Sequence, residues 1–166
     1  MNIIISPEMC GLLSKELKLA GSREIGGVLV GEHLGAGRFQ VADVSVQRHG
    51  GSRTYFKRDP EIHRAFISEF YRRTGCDYAR FNYLGEWHSH PSCPAIPSAH
   101  DLYSMQSIVE QPEVNVDFAL LLVVRQRFWR GLEASATVFR PTTPPIPILL
   151  EQPGDYRGRR CLRQLL

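Results

Sequence analysis

The sequence predicts a single α+β domain, a mixed β-sheet flanked by helices, and three features carry that prediction. Segments opening with Ser6-Pro7 and Asp59-Pro60 begin as helices do. Phe39 to Val46 and Leu132 to Phe139 alternate with the period of a half-buried strand. Val116 to Val124 is apolar almost throughout and reads as a central strand.

The elements follow in order. Ser6 is an N-cap, Pro7 sits in the first turn and Glu8 lies near the positive helix end. This helix is expected to reach Leu19-Ala20 and stop at Gly21. Ile25 to Val30 follows as a β-branched strand in which Gly26-Gly27 marks a close approach of backbone. Gly35-Ala36-Gly37 turns the chain into Phe39 to Val46. A loop through Gly50-Gly51-Ser52 leads to the second helix, where Ile62, Phe66 and Phe70 form one stripe. Phe81 to Ser89 reads as a strand, the Pro-rich stretch after it as a loop, and Ser98 to Glu110 as a third helix. Two strands, Val116 to Val124 and Leu132 to Phe139, close the domain. In the latter, Leu132, Ala134, Ala136 and Val138 alternate with Glu133, Ser135 and Thr137. Beyond residue 140, Pro141, Pro144, Pro145, Pro147 and Pro153 exclude helix and central strand. The expected organisation is a domain over 1–140 and a Pro/Arg-rich tail or strap over 141–166, without repeats.

The chain has 166 residues, 43% hydrophobic and 22% charged, enough for one core. No apolar run approaches the ~20 residues of a membrane-spanning helix. Met1 to Pro7 lacks the basic region of a signal peptide. A cytoplasmic protein without a membrane partner is expected. The net charge of +3 is dispersed, so the basic stripe of a nucleic-acid binder is missing and none is expected as partner. Only Lys15, Lys18 and Lys57 are lysines; the other basic residues are arginines, suited to acidic protein surfaces or set by composition bias. Arg157, Arg159, Arg160 and Arg163 make the end of the chain basic, as a docking segment or for solubility. Cysteines at 10, 76, 93 and 161 form no Cys-x-x-Cys pair, and reduced thiols are expected.

Chemistry concentrates in Gly85-Glu86-Trp87-His88-Ser89-His90-Pro91 and in Ser98-Ala99-His100-Asp101. His88 and His90 are two apart on a predicted strand, so both imidazoles point to one face, an arrangement suited to Zn²⁺. A loop stiffened by Pro91, Pro94 and Pro97 returns the chain to a helix start, where Asp101 can supply a third, oxygen ligand. Three protein ligands and one open position are the pattern of catalytic zinc. Taken alone, Ser98 to Asp101 is also a capping box, a purely structural device. The joint pattern would arise by chance on the order of once in two thousand such sequences. Other His-x-His chemistries fit worse: the residues that metallo-β-lactamase-like sites require do not follow, the zinc-deaminase motif is missing, and amidohydrolase barrels are longer than this chain.

The His-x-His, seven residues, Ser, two residues, Asp pattern at His88, His90, Ser98 and Asp101 resembles the signature of the JAMM (MPN+) metalloisopeptidase family. Glu24-Ile25-Gly26-Gly27-Val28-Leu29-Val30-Gly31 resembles that family's Glu-x-Gly-Gly-x-Leu-x-Gly strand entry. The resemblance covers about 20–140 and departs at Glu86, which stands between Gly85 and Trp87. It implies the JAMM/MPN, cytidine-deaminase-like fold. The Gly-Glu-Trp-His-Ser-His-Pro run resembles small bacterial members found beside ubiquitin-activating-like and conjugating-like enzymes in antiviral operons.

The resemblance implies Zn²⁺ on His88, His90 and Asp101, Glu24 as general base and Ser98 as oxyanion donor. It implies a zinc metalloprotease that cleaves after the C-terminus of a ubiquitin-like protein or conjugated protein, with conjugation-system enzymes as further partners. A sulfur-carrier or precursor-processing protease and a non-catalytic scaffold are the alternatives. Strand geometry alone makes Glu86 a competing base; it could also orient a ligand histidine or touch substrate. His100 is expected to point away from the site. Cys93 is expected as a buried thiol, against an oxidation-sensitive or zinc-trapping one.

Overall fold

The structure is a computed structural model that describes residues 1–114, 116–127, 131–152 and 162–165. Pro153, Arg157, Arg159, Arg160 and Cys161 lie outside the described residues. The elements are β1 (Asn2–Ile4), α1 (Pro7–Ala20), β2 (Gly26–His33), β3 (Arg38–Val44), α2 (Pro60–Arg73) and β4 (Phe81–Ser89). They continue with α3 (Ala99–Val109), β5 (Ala119–Arg127), β6 (Gly131–Arg140), β7 (Thr143–Ile148), β8 (Leu150–Glu151) and β9 (Leu162–Gln164). No helix among the described residues is long and apolar enough to cross a membrane.

The strands form one mixed sheet in the order β7-β6-β5-β4-β2-β3-β1-β8, with β9 parallel to β6. Only Leu149 separates β7 from β8, so one continuous segment joins the two edges and draws the sheet towards a barrel. Gln164 stitches that closure: its amide accepts from Leu150 N–H at 2.8 Å and donates to the Ile148 carbonyl. Leu150 and Leu162 are buried in the same core as Ile3 and Ile5. The prolines of β7 are tolerated because an edge strand leaves half its amides unpaired.

Strand β5 is covered on both faces. Leu120, Leu122 and Val124 pack with Met9, Cys10, Leu13 and Leu17 of α1, while Leu121 and Val123 pack with Met105 and Val109 of α3. Each such burial is worth ~1.5–3 kcal/mol, which fixes β5 as the axis of the fold. β4 lies parallel to it, paired from Gly85–Leu120 to Ser89–Val124, and α3 makes the crossover between them. The sheet therefore opens a crevice beyond the C-terminal end of β4 and beside the N-terminus of α3. On the other side β4 pairs antiparallel with β2. A side chain at Gly26 would collide with the Trp87 carbonyl and the His88 Cβ, which is why the close approach read from Gly26-Gly27 needs glycine.

Four local readings are corrected. β1 forms a strand parallel to β3 where none was expected, and Ile3, Ile4 and Ile5 are buried. Ile62 is 43% exposed, and His63 takes the core-facing place beside Phe70. The polar side of β6 is buried as well, because α3 packs against it, and Arg127 pairs with Glu133 there at 3.2 Å. Cys10 is disulfide-bonded rather than a reduced thiol, whereas Cys76 and Cys93 are free and exposed.

Candidate metal centre

Alternation along β4 aims its side chains in two directions. Trp87 enters the core, as does Leu84 beyond a register shift against Leu29 and Val30, and the Trp87 indole donates to the Ser45 carbonyl at 2.9 Å. Glu86 and His88 face the α3 side, and His90 follows past the strand end, held by its amide to the Val124 carbonyl at 2.9 Å. The helix start supplies the third group. Ser98 is the N-cap of α3, its hydroxyl accepting from Asp101 N–H at 3.2 Å while the Asp101 carboxylate accepts from Ser98 N–H at 2.7 Å. The capping box and the metal-type motif are thus one structure: the cap locks Asp101 at the point where it meets both imidazoles.

His88 Nε2 and His90 Nε2 are 3.1 Å apart, and the Asp101 carboxylate lies 3.5 Å and 3.7 Å from them. Ligand atoms placed tetrahedrally at zinc distances would stand about 3.3–3.5 Å apart, so the triangle has the required size. The tautomer suits it too. His90 Nδ1 donates to the Pro94 carbonyl at 2.9 Å, which leaves Nε2 as a lone pair facing the other donors. Burial lowers the His90 pKa and keeps the ring neutral. Burial alone would raise Asp101, but its closeness to His88 and its Ser98 hydrogen bonds outweigh that and hold it well below the usual carboxylate range. Two imidazoles, with His90 held neutral by burial, and an ionised carboxylate are a fitting donor set for Zn²⁺.

Glu24 precedes β2 and reaches the same cavity, of about 480 Å³, which His88, His90, Ser98 and Asp101 also line. Burial raises its pKa; His88 opposes that shift and the Asp101 charge adds to it. Its amide donates to the Ser52 carbonyl at 2.7 Å, and Gly51 packs so closely on its carbonyl that a side chain there would collide. The loop 48–59 therefore positions Glu24 from outside the motif.

The chain matches the family described as prokaryotic homologs of the JAB domain over residues 7–133. It belongs to that family. A relative from Vibrio cholerae serotype O1, named CD-NTase/cGAS isopeptidase, is 34% identical over 110 residues, covering 65% of this chain and 66% of the relative. The JAB-domain chain thus spans just under two thirds of that relative's length. Two solved structures share its fold. One is protein DSY2949 from Desulfitobacterium hafniense, at TM-score 0.66, 20% identity, 90% of this chain and 92% of that one. The other comes from Salinibacter ruber, at TM-score 0.56 and 19% identity, covering 90% of each.

The structure brings all five expected residues of this JAB domain to one cavity: Glu24, His88, His90, Ser98 and Asp101. Glu86 shares the strand face but forms an ion pair with Arg58. Burial raises its pKa and Arg58 opposes that shift. Two expectations fail. Cys93 is exposed, not buried, and lines the cavity. His100 lines the cavity as well, its ring 6.3 Å from that of Tyr55.

Tyr55, Phe56, Lys57 and Arg58 were not foreseen, because their loop has no periodicity and reaches the site only through tertiary contacts. A buried relay holds it there. Ser45 Oγ accepts from Val28 N–H, so its own proton goes to His63 Nδ1 at 2.7 Å. His63 Nε2 then donates to Gln47 Oε1, and the Gln47 amide donates to the Lys57 carbonyl at 3.1 Å. Burial, with Arg58 adding to it, lowers the His63 pKa to about 4, so this ring is neutral.

Proposed function

We propose that this JAB-domain protein is a zinc-dependent isopeptidase that hydrolyses the bond after the C-terminus of a ubiquitin-like or conjugated protein, in a bacterial antiviral conjugation system. The observation that carries the reading is the His88, His90 and Asp101 triangle, with donor atoms 3.1–3.7 Å apart and Glu24 in the same cavity. The name of the Vibrio cholerae relative supports the choice of a conjugate as substrate. The full donor set speaks against a non-catalytic scaffold.

His88, His90 and Asp101 would hold the zinc, which supplies a Lewis acid for the scissile carbonyl and lowers the pKa of a water towards ~7. Glu24 takes a proton from the attacking water and passes it to the leaving amine as the carbon–nitrogen bond breaks. The water oxygen stays on the acyl carbon. A buried carboxyl with a raised pKa is a stronger base for that transfer than an exposed one. Ser98 Oγ donates to Asp101 at 2.7 Å in this structure. It must turn from Asp101 into the cavity to donate to the developing oxyanion.

The test is incubation of the full chain with fusions of ubiquitin-like and nucleotidyltransferase-type proteins, with and without a chelator. Cleavage is expected to stop on chelation and return with zinc. Glu24→Gln is expected to keep zinc, measured by elemental analysis, and to lose ~10²–10⁴ in turnover. Cleavage that survives zinc removal would falsify the assignment.

A further inference from the structure

The metal centre lies where two cavities meet. The first, with Glu24, Pro94, Ile96 and Ser98, is the one described above. The second, about 410 Å³, shares Tyr55, Phe56, His88, His100 and Asp101 with it and continues along α3 past Ser104, Met105 and Ile108. Its wall carries Lys57, Arg58 and Glu86, and Leu121 of β5 also lines it. A substrate chain crossing the centre must occupy both.

Arg58 is the unusual group in this wall. Its Nε donates to Glu86, while among the described residues its two terminal nitrogens have no hydrogen-bond partner. Arg48, by contrast, uses both Nε and Nη2 on Glu16. Glu86 thus fixes the plane of the Arg58 guanidinium and leaves its outer fork free. Arg58 retains 25% side-chain exposure and Glu86 14%, so the fork is shielded yet reachable. Lys57 and Arg58 are balanced in formal charge by Glu86 and Asp101 in this cavity, so what its wall offers a ligand is the free fork of Arg58 rather than a charge surplus. A guanidinium fork of that kind matches a carboxylate.

Position along the substrate follows from strand spacing. Glu86 is two residues before His88, a step of ~6.6–6.8 Å, and an extended peptide advances ~3.3–3.6 Å per residue. The substrate side chain facing Arg58 is therefore two or three residues from the scissile bond. Glu24, which delivers the proton to the amine, lines only the first cavity. The amine belongs on that side and the acyl segment beside Arg58. We infer that Arg58, oriented by Glu86, is a specificity-determining residue that selects an acyl segment with an Asp or Glu two or three residues before the scissile bond and rejects a basic one. The inference rests on the proposed function for its direction along the cleft.

Peptide binding tests it separately from turnover. Two fluorescent nonapeptides of Gly, Ala and Ser end in an amidated glycine and carry either Asp-Asp or Arg-Arg at the second and third places before the end. Their affinities for the zinc-supplemented full chain are measured by anisotropy, with and without chelator. The acidic peptide is expected to bind about tenfold more tightly at low salt, a preference that shrinks to about twofold in 0.5 M salt. Arg58→Gln is expected to erase the preference and Arg58→Lys to keep part of it, since charge without the fork still attracts. Equal affinities, a preference for the basic peptide, or no binding of the acidic peptide at millimolar concentration overturn the inference. So does a preference unchanged in Arg58→Gln. Selective binding without cleavage of any fusion would instead break the proposed function alone.

Discussion

Strand β4 separates two kinds of residue: Trp87 and, across a register shift against Leu29 and Val30, Leu84 are sealed in the core, while Glu86 and His88 open onto the cleft beneath α3. The core side is satisfied within the protein, down to the Trp87 indole donating to the Ser45 carbonyl. The cleft side is held together but left with spare valence. His90 presents a lone pair towards His88 and Asp101, and among the described residues the outer fork of Arg58 is unpaired. Neighbouring residues on one strand should then respond in opposite ways to substitution.

The largest expected effect is that contrast. His88→Ala removes a member of the proposed donor set and is expected to lose zinc and at least about a thousandfold in turnover, while metal-free stability stays within about 1 kcal/mol of the wild type. Trp87→Ala, one residue away, is expected to cost ~3–5 kcal/mol from the cavity it leaves while the donor triangle keeps its members. Zinc content, single-turnover rates and urea midpoints read all three quantities. A stable Trp87→Ala protein, or a His88→Ala protein that unfolds with it, would erase the division between the two sides.

Ser98 belongs to both regimes and sharpens the comparison at smaller scale. Ser98→Ala is expected to lose ~10²–10³ in kcat through the oxyanion donor and ~1 kcal/mol of stability through the cap. Ser98→Gly separates the roles, because glycine is tolerated at an N-cap at a cost of a few tenths of a kcal/mol. Both variants should lose the same turnover while only the alanine variant loses the stability. Equal turnover in all three proteins would leave Ser98 as a cap alone.

The centre of this site was legible because its donors lie within fourteen residues, on a strand, a stiff loop and a helix cap whose local geometry is written in the spacing. Glu24 came through only by resemblance, since no local rule links residue 24 to residue 88. Arg58 and the Tyr55-Phe56 wall were not legible: their positions depend on Gln47, His63 and Ser45, buried polar residues that no periodicity marks. The same holds for the strands. β5 and β6 declare themselves by apolar pattern, whereas β1, β8 and β9 have only two or three residues and β7 carries prolines. Such strands are defined by the partner that needs them, not by their own pattern.

His63 gives the smallest but most specific test, because its relay joins the two regions: Ser45 accepts from Trp87 through its carbonyl and bonds His63 through its hydroxyl. The folded pKa of about 4 lies below the unfolded value of about 6.5. As pH falls below 6.5 the unfolded chain takes up a proton that the folded chain refuses until about pH 4. Stability is therefore complete above pH 6.5 and declines between 6.5 and 4. After discounting for screening of the Arg58 charge, the loss is on the order of 2 kcal/mol. His63→Gln is expected to be less stable at pH 7, because its amide cannot reproduce both ring hydrogen bonds, yet to show a shallower decline. Urea unfolding of both proteins between pH 7 and 4.5 measures the difference in slope. Parallel slopes would mean that the ring is protonated in the folded protein, and the relay holding the Arg58 loop would then have to be drawn with His63 as a double donor.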